Sequence, residues 1–222
     1  MNQAFSKIWI SIILTILIVG GFFAWQYFKA PKEEVKDETA DWQTYRNEEY
    51  GFEMKYPQNW ELEEESPPSP TADIIDVVKI WAPVSLESLE GKKEILPKEI
   101  LSFFPTSITV TILKGWDLDN YISGAIEEES VFGPPKEIVK KERFDFIGNE
   151  AFEIEGKIFY SPESIYFLTG IKIEKSLDLH ERERAIWKEN NIYLIKGSVS
   201  EDKWDNYNDL ITTVFQTFRF SE

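Results

Sequence analysis

The sequence predicts an α+β fold, an α-β-α sandwich around an antiparallel sheet, preceded by one N-terminal transmembrane helix. Three observations support this prediction. Residues 8–28 contain no charged side chain, many later segments alternate apolar and polar residues, and two segments have apolar residues three and four positions apart. Because the alternating segments follow one another after short turns, we expect antiparallel strands with the helices packed on the sheet faces.

The first element is the apolar segment at residues 8–28, which lies between Lys7 and Lys29. A helix of this length, at about 1.5 Å per residue, spans the roughly 30 Å hydrocarbon core of a bilayer. No small-residue cleavage site follows Gly20 and Gly21, so we expect the helix to be retained as a single-pass signal anchor. A cleaved signal peptide remains the alternative.

The orientation of this anchor has to be judged from conflicting signals. The lysines after the apolar segment outnumber the one before it, which by itself favours a cytoplasmic domain. A short N-terminal tail is, however, typical of an N-in anchor, and large acidic domains are translocated largely regardless of charge. We therefore expect a cytoplasmic tail and anchor at 1–29, a charged stalk at 30–41 and an extracytoplasmic domain at 42–222, in the cell membrane.

The strands of the domain are predicted from period-two alternation. In the first of them, Tyr50, Phe52, Met54 and Tyr56 fall on one face, and Pro57 ends the strand. Gly148-Asn149 is the clearest turn between two strands. The predicted strands lie at residues 50–56, 74–81, 107–113, 138–146, 151–159, 165–173 and 192–199.

Two helices are predicted from helical spacing. One covers residues 118–126, with Asp117 as its N-cap, and the other covers 204–214, after Ser200 and the first-turn acids Glu201 and Asp202. Each has one apolar stripe, so we expect each to pack on the sheet.

Charge and composition exclude several classes of function. The net charge is −16 with 40 acidic residues, which disfavours binding to nucleic acid. The chain has no cysteine and a single histidine, His180, in a charged stretch that we interpret as a solvated surface segment without a catalytic role. Phosphate-binding glycine motifs are absent from the sequence, and we expect no cofactor and no enzymatic activity.

The many carboxylates leave two alternatives open. Acidic runs at Glu61–Glu65 and Glu127–Glu129 are able in principle to hold a hard cation, and an Asp/Glu pair is able to hydrolyse a glycoside. The run that starts at Asp117 lacks the glycine of a calcium loop, since Ile122 stands at the sixth position. We assign no residue to a metal, cofactor or catalytic site, and keep the hydrolase and the cation-binding domain as competing hypotheses.

Three short motifs carry a family resemblance. The segment at 44–60 has the pattern Y-G-F…Y-P…W, Phe146–Ala151 has a G-x-E-A hairpin, and Phe215–Phe220 ends in F-x-F. In this order and spacing they resemble the PsbP-like family, named after an extrinsic subunit of photosystem II. The motif residues are Tyr50, Gly51, Phe52, Tyr56, Pro57, Trp60, Gly148, Glu150, Ala151, Phe218 and Phe220.

The resemblance covers roughly residues 42–220 and implies an α-β-α sandwich, secreted or membrane-tethered in bacteria, without a common catalytic apparatus. It also implies that the closing segment is a strand, so we end the last helix near Val214. The chain departs from the family in a proline-rich loop at 66–71 and a long polar excursion at 82–105. The expected function is a non-catalytic binding or assembly module with an envelope protein as its partner.

Overall fold

The structure is a computed structural model that describes residues 19–22, 25, 38–65, 73–83, 106–126, 136–174 and 176–221. Most of the predicted membrane segment lies outside these residues; the part that is described, 19–22 and 25, is helical. No helix within the described ranges is long and apolar enough to cross a membrane. The transmembrane anchor therefore stays a prediction, and so do the predicted domain boundaries. Asp41–Glu222 forms one compact unit.

The elements of this unit are mostly antiparallel strands, with a few helices between them, so the α+β prediction is confirmed. In chain order they are β1 (Gln43–Asn47), β2 (Phe52–Tyr56), β3 (Glu61–Glu64), β4 (Ile74–Trp81), β5 (Ser107–Lys114), α1 (Leu118–Ile126), β6 (Lys136–Phe146), β7 (Asn149–Tyr160), α2 (Pro162–Thr169), β8 (Leu177–Lys188), β9 (Asn191–Ser200), a 3-10 turn (Glu201–Lys203), α3 (Trp204–Thr217) and β10 (Arg219–Phe220).

The strands form two antiparallel sheets. A small sheet has the order β1-β2-β10, and a large one has the order β3-β4-β5-β9-β8-β7-β6. Both outer strands of the large sheet are rich in charged residues, which discourages pairing with another chain.

The two faces of the large sheet are covered by different helices. One face carries Val110, Ile186 and Ile195, and packs with α3 and the small sheet into the main core; we call it the α3 face. The opposite face carries Phe152 and Ile192 and is covered in part by α1 and in part by α2; we call it the α1 face. Apolar side chains on both faces exclude water from the sheet, which stabilises the fold.

Several predicted elements are confirmed. The strand predictions at 74–81, 107–113, 138–146, 151–159 and 192–199 match β4, β5, β6, β7 and β9 within a few residues. Helix α1 begins at the predicted position because the Asp117 carboxylate accepts a hydrogen bond from the Asn120 N–H at 2.8 Å. The first predicted strand is shorter than expected, since Tyr50 belongs to the turn before β2.

The predicted strand at 165–173 is wrong, because Pro162–Thr169 forms helix α2. Ser161 caps the helix by accepting a hydrogen bond from Ser164 N–H at 3.2 Å, proline occupies its first turn, and Gly170 ends it in the left-handed conformation (φ 71°). These three helix signals outweigh the spacing of apolar residues on which the strand prediction rested. Those apolar residues are largely exposed and do not form the buried face of a sheet.

The C-terminal boundary and one turn also differ from expectation. Helix α3 continues to Thr217, three residues beyond the predicted end, and the closing strand is reduced to Arg219–Phe220. In the turn between β6 and β7 the two central residues are Ile147 and Gly148, both with positive φ, whereas Asn149 already belongs to β7. The Asp145 carboxylate stabilises this turn by accepting a hydrogen bond from Gly148 N–H.

Candidate functional site

His180 lies inside β8 and is 3% exposed, so its interpretation as a solvated surface residue is wrong. Its Nδ1 lies 2.8 Å from Glu201 Oε2, and its Nε2 lies 3.0 Å from Glu155 Oε1. The imidazole stacks on Trp204 with a centroid distance of 3.6 Å and an angle of 5° between the rings. Since both ring nitrogens face carboxylates of the chain itself, neither is directed towards a substrate.

Next to His180, two buried ion pairs connect β7 and β8 beneath α3. We call Glu153, Glu155, Arg182 and Arg184 the ion-pair ladder. The Arg182 guanidinium donates to Glu155 Oε2 at 2.5 and 3.1 Å and to Thr212 of α3. The Arg184 guanidinium donates to Glu153 Oε2 at 2.7 and 3.0 Å and to the Phe215 carbonyl of α3. The ladder therefore fastens α3 to the sheet.

The carboxylates around His180 are held in the ionised form. Burial acts to raise the pKa of Glu155, but the hydrogen bond and charge of Arg182, together with His180, outweigh it and lower that pKa. Burial likewise opposes the ionisation of Glu201, yet Lys157 and His180 lower its pKa. A carboxylate with a lowered pKa and several donors is a weak base, so this cluster is suited to a structural role.

A second pair of carboxylates lies on the α1 face, where Glu181 and Glu183 alternate along β8 at about 7 Å between Cα atoms. Burial raises the pKa of Glu181, and this effect outweighs the attraction of Lys196, whose Nζ is 3.9 Å from Glu181 Oε1. Burial also acts on Glu183, but the charge and hydrogen bonds of its neighbours lower its pKa. Such divergence is what a catalytic acid and base require.

The contacts of Glu183 argue against a free catalytic base. Lys136 donates to its Oε1 at 2.9 Å, and the Tyr121 hydroxyl of α1 donates to its Oε2 at 2.7 Å. Both oxygens are thus engaged within the fold, and the hydroxyl group of a substrate would have to displace one of these donors. We interpret the pair as an internal charge network between α1 and the sheet.

Substituting these two carboxylates should change stability in opposite directions at neutral pH. The stability that Glu181 contributes is present below its ordinary pKa of 4.5 and is lost as pH rises through its raised folded pKa, so Glu181→Gln should increase the free energy of unfolding at neutral pH. The contribution of Glu183 is present above 4.5 and is lost as pH falls through its lowered pKa. Glu183→Gln should therefore cost roughly 1.5–3 kcal/mol at neutral pH.

The measurement is urea unfolding of each variant of the full-length chain near pH 7 and near pH 4. Both differences from the unsubstituted chain should shrink at the lower pH, where the carboxylates are protonated in the unfolded state. Glu142→Gln, on the exposed edge strand β6, is the matched control and should have little effect. An equal loss of stability in both variants would contradict the assigned directions.

The PsbP-like motif residues occupy turns and the main core. Gly51 and Gly148 have positive φ in tight turns, and Glu150 pairs with Arg143 at 2.6 Å on the surface. Phe52 is fully buried and stacks on Phe218 at 5.2 Å. The remaining motif residues, Tyr50, Tyr56, Pro57, Trp60, Ala151 and Phe220, are buried or half-buried. The motif residues therefore contribute to the fold through turns and core packing, and none of them by itself forms a reactive site.

One apolar surface is concentrated on helix α2. Tyr166, Phe167 and Leu168 are 57%, 89% and 54% exposed, and we call these three residues the α2 patch. They follow Ile165, the one buried residue of the helix. An open groove of about 400 Å³ beside the patch is lined by Pro162, Glu163, Tyr166, Lys172 and Ile173.

A second cavity, of about 380 Å³, lies between the β1–β2 hairpin and strands β3 and β4. We call it the hairpin pocket. Buried Ile75 and Val77 of β4 form its apolar part. Its other lining residues are Tyr45, Arg46, Asn47, Glu48, Glu49, Tyr50, Glu64 and Glu65.

The predicted acidic runs have different outcomes. Glu61, Glu63, Glu64 and Glu65 lie on or just after the edge strand β3, and Glu64 and Glu65 line the hairpin pocket. Glu127–Glu129 lies outside the described residues. Within the described ranges, no three His, Asp or Glu side chains are close enough to hold one metal ion.

Sequence reasoning missed the α2 patch and the hairpin pocket for different reasons. The Ser161-Pro162 pair and Gly170 were available as helix signals, and they would have placed Tyr166, Phe167 and Leu168 on a short helix with too little buried surface to cover all three. The hairpin pocket had no such signal, because its walls come from residues 45–50, 64–65 and 75–77, which meet only through sheet packing.

The chain is similar in structure to several solved proteins, although its sequence identity to each of them is low. No family model matches the sequence, and no curated protein matches it. The solution structure of cyanobacterial PsbP (CyanoP) from Synechocystis sp. PCC 6803 is 16% identical, with 82% of this chain and 93% of that chain covered and a TM-score of 0.45. It is a PsbP protein, like the family that the motifs resemble.

Two further solved structures are similar over the same share of the chain. LpqN, involved in cell envelope biogenesis of Mycobacterium tuberculosis, is 12% identical, with 82% of this chain and 91% of that chain covered and a TM-score of 0.46. The Saccharomyces cerevisiae Ran-binding protein Mog1p is 10% identical, with 82% and 96% covered and a TM-score of 0.46.

Proposed function

We propose that this chain is a membrane-anchored, extracytoplasmic binding or assembly module of the PsbP-like type that acts without catalysis on an envelope protein partner. The observation that carries the proposal is the exposure of the α2 patch, with Phe167 89% exposed to solvent. Successive residues of a helix point in different directions, so Phe167 is the centre of the α2 patch and Tyr166 and Leu168 flank it. Exposed apolar side chains lose their unfavourable hydration when a partner covers them.

The contacts of the ionisable groups support binding over catalysis. The His180 nitrogens, both oxygens of Glu183 and the ion-pair ladder are all engaged by neighbouring groups of the chain. A hydrolase needs one carboxylic acid and one carboxylate facing the same open cleft. The α2 patch, in contrast, needs no further group to bind a protein, because aromatic and aliphatic anchors supply most of the binding energy at interfaces.

The charge of the chain defines the partner more closely. The chain has a net charge of −16, and the groove beside the α2 patch contains one acidic and one basic residue, Glu163 and Lys172. A partner with an apolar centre and basic residues around it would bury the patch and be attracted electrostatically. We therefore propose a basic-rimmed envelope protein as the partner.

Variants with a single introduced cysteine test two things at once: the side of the membrane on which the domain lies, and its partner. They are practicable because the chain has no cysteine of its own. In Phe167→Cys, a membrane-impermeant maleimide should label the new thiol on intact cells, and the labelled chain should sediment with membranes. A maleimide that carries a photoreactive group should then cross-link this position to an envelope protein, and mass spectrometry of the adduct should identify a basic surface around the cross-linked residue.

Glu142→Cys is the matched control, since Glu142 is exposed on the edge strand β6, away from the α2 patch. It should be labelled equally well from outside but yield no cross-link to the same protein. Labelling of neither thiol unless the cells are broken would refute the extracytoplasmic location. Equal cross-linking from both positions would refute the α2 patch as the contact surface.

A further inference from the structure

We propose that His180 is a pH switch at the beginning of α3. As an imidazolium it binds Glu155 and Glu201 at the same time, and loss of one ring proton releases Glu201 together with the 3-10 turn that this residue begins. We call His180, Glu155, Glu201, Arg182 and Lys157 the His180 cluster. The switch lies within the fold, and the proposal is independent of the α2 patch.

The geometry around the ring of His180 requires two hydrogen-bond donors. Nδ1 lies 2.8 Å from Glu201 Oε2, and Nε2 lies 3.0 Å from Glu155 Oε1. A neutral imidazole has one N–H group and one nitrogen lone pair, whereas an imidazolium has two N–H groups. The pKa of each carboxylate is lowered, so neither of them supplies the second proton. The two contacts therefore fit an imidazolium between two ionised carboxylates.

The two carboxylates are held with different firmness. Glu155 also accepts hydrogen bonds from Arg182, and its side chain is 10% exposed. Glu201 Oε1 lies 2.5 Å from Lys157 Nζ, but the Glu201 side chain is 34% exposed and is able to turn towards water. When one ring proton is lost, the remaining proton should therefore stay on Nε2, towards Glu155. Glu201 is the partner that leaves.

The release of Glu201 affects the beginning of α3. Glu201 is the first residue of the 3-10 turn, which leads directly into α3 at Trp204. The Trp204 ring stacks on the His180 imidazole at 3.6 Å, and a cationic ring is attracted to the indole π system more strongly than a neutral one. Loss of the proton thus weakens two contacts of the same segment. The rest of the helix stays fastened through Thr212 and Phe215 of α3, so the opening is local.

Further charged groups face His180 from β7 and β8. Lys157 is its partner in the register of β7 and β8, and Asp178 lies two residues earlier on the same face of β8, where its charge acts on Lys157. β9 and α3 contribute the uncharged side chains of Val199 and Trp204. With a charged ring, three cations oppose three carboxylates: His180, Arg182 and Lys157 against Glu155, Asp178 and Glu201. Histidine is the side chain that normally changes charge between about pH 5 and 8, and the switch should act in this range.

Nitrogen-15 NMR of the full-length chain in a nonionic detergent tests the charge of the ring directly, because the chain has a single histidine. With labelled histidine, both ring nitrogens should carry a proton at about pH 5.5, and one proton should be lost by about pH 8.5. The remaining proton should be on Nε2. A ring that is neutral at the lower pH, one that keeps both protons at the higher pH, or a neutral ring protonated on Nδ1 would each overturn the proposal.

Amide hydrogen exchange of the full-length chain measures the release of the turn. At about pH 5.5, Glu201→Gln should make the amides of residues 201–207 exchange about twofold to tenfold faster than in the unsubstituted chain, because the imidazolium loses its charged partner. At about pH 8.5 the difference should shrink, since only the contact of Glu201 with Lys157 is left to lose. Comparing the two proteins at equal pH removes the pH dependence of the exchange chemistry itself.

Asp209→Asn is the matched control, because it removes an exposed carboxylate of α3 outside the His180 cluster. It should leave the exchange of residues 201–207 unchanged at both pH values. Equal acceleration by Glu201→Gln at both pH values, or no acceleration at the lower one, would overturn the switch. Neither result bears on cross-linking from Phe167, so this proposal and the proposed function fail separately.

Discussion

Arg184→Met should lower the free energy of unfolding by about 3–5 kcal/mol, the largest effect that we expect from one substitution. The change leaves Glu153, which is 7% exposed, without the guanidinium that donates two hydrogen bonds to its Oε2. It also removes the hydrogen bond from the guanidinium to the Phe215 carbonyl of α3. The loss should be visible as a lower urea midpoint in tryptophan fluorescence of the full-length chain.

The reason for so large an effect is the surroundings of the guanidinium. Its carbon lies 5.1–5.4 Å from the rings of Phe144, Phe146 and Phe215, which exclude water from the ion pair. Without Arg184, the cation nearest to Glu153 is Arg182, whose Nε lies 3.9 Å from Glu153 Oε1 and whose guanidinium is already bound to Glu155, so the buried carboxylate is poorly compensated.

A double variant and a surface variant serve as controls. Glu153→Met/Arg184→Met removes both charges and should be more stable than Arg184→Met alone, because no buried charge is left without a partner. Arg143→Met breaks contacts to Asp119 and Glu150 at a side chain that is 45% exposed, so its effect should be much smaller. A comparable loss at Arg143 and Arg184 would show that burial of the ladder is not the cause.

Gly197→Ala should destabilise the fold by about 1–3 kcal/mol through a steric conflict between β9 and α3. A Cβ atom at position 197 would lie 2.6 Å from Cγ2 of Ile211, which is fully buried in α3. Because Cγ2 is attached directly to the branched Cβ, it is unable to swing away unless the helix moves. Urea unfolding at neutral pH would measure the effect.

Two further substitutions separate the steric conflict at position 197 from the general effect of replacing a glycine. At Gly124 in α1, no atom of the described residues beyond the adjacent residues and the backbone of α1 itself lies within 4 Å of the place that an added methyl group would take, so Gly124→Ala should stabilise the helix by about 0.5–1 kcal/mol. Ile211→Ala removes the clashing atom, and its cost should be non-additive with that of Gly197→Ala, the double variant being more stable than the sum predicts. Strict additivity would argue against the contact.

Most of the fold could be predicted from the sequence, because strands, helix starts and turns are indicated by residues close together in the chain. Alternation predicted most of the large sheet, and Asp117 predicted the start of α1 through a hydrogen bond to a residue three positions away. The candidate sites were less accessible. The α2 patch had helix signals at Ser161 and Gly170, whereas the hairpin pocket depends on how the β1–β2 hairpin packs beside β3 and β4.

The charge excess, the lack of cysteine, the apolar N-terminal segment and the antiparallel α+β class are properties of the sequence itself, since each follows from composition or from residues near one another in the chain. Tertiary structure decided that the charged stretch around His180 is the buried strand β8. A run of charges indicates a solvated segment unless partners neutralise it, and the partner of Arg184 lies 31 residues away in β7. Pairing between distant strands, and not local pattern, placed these charges in the interior.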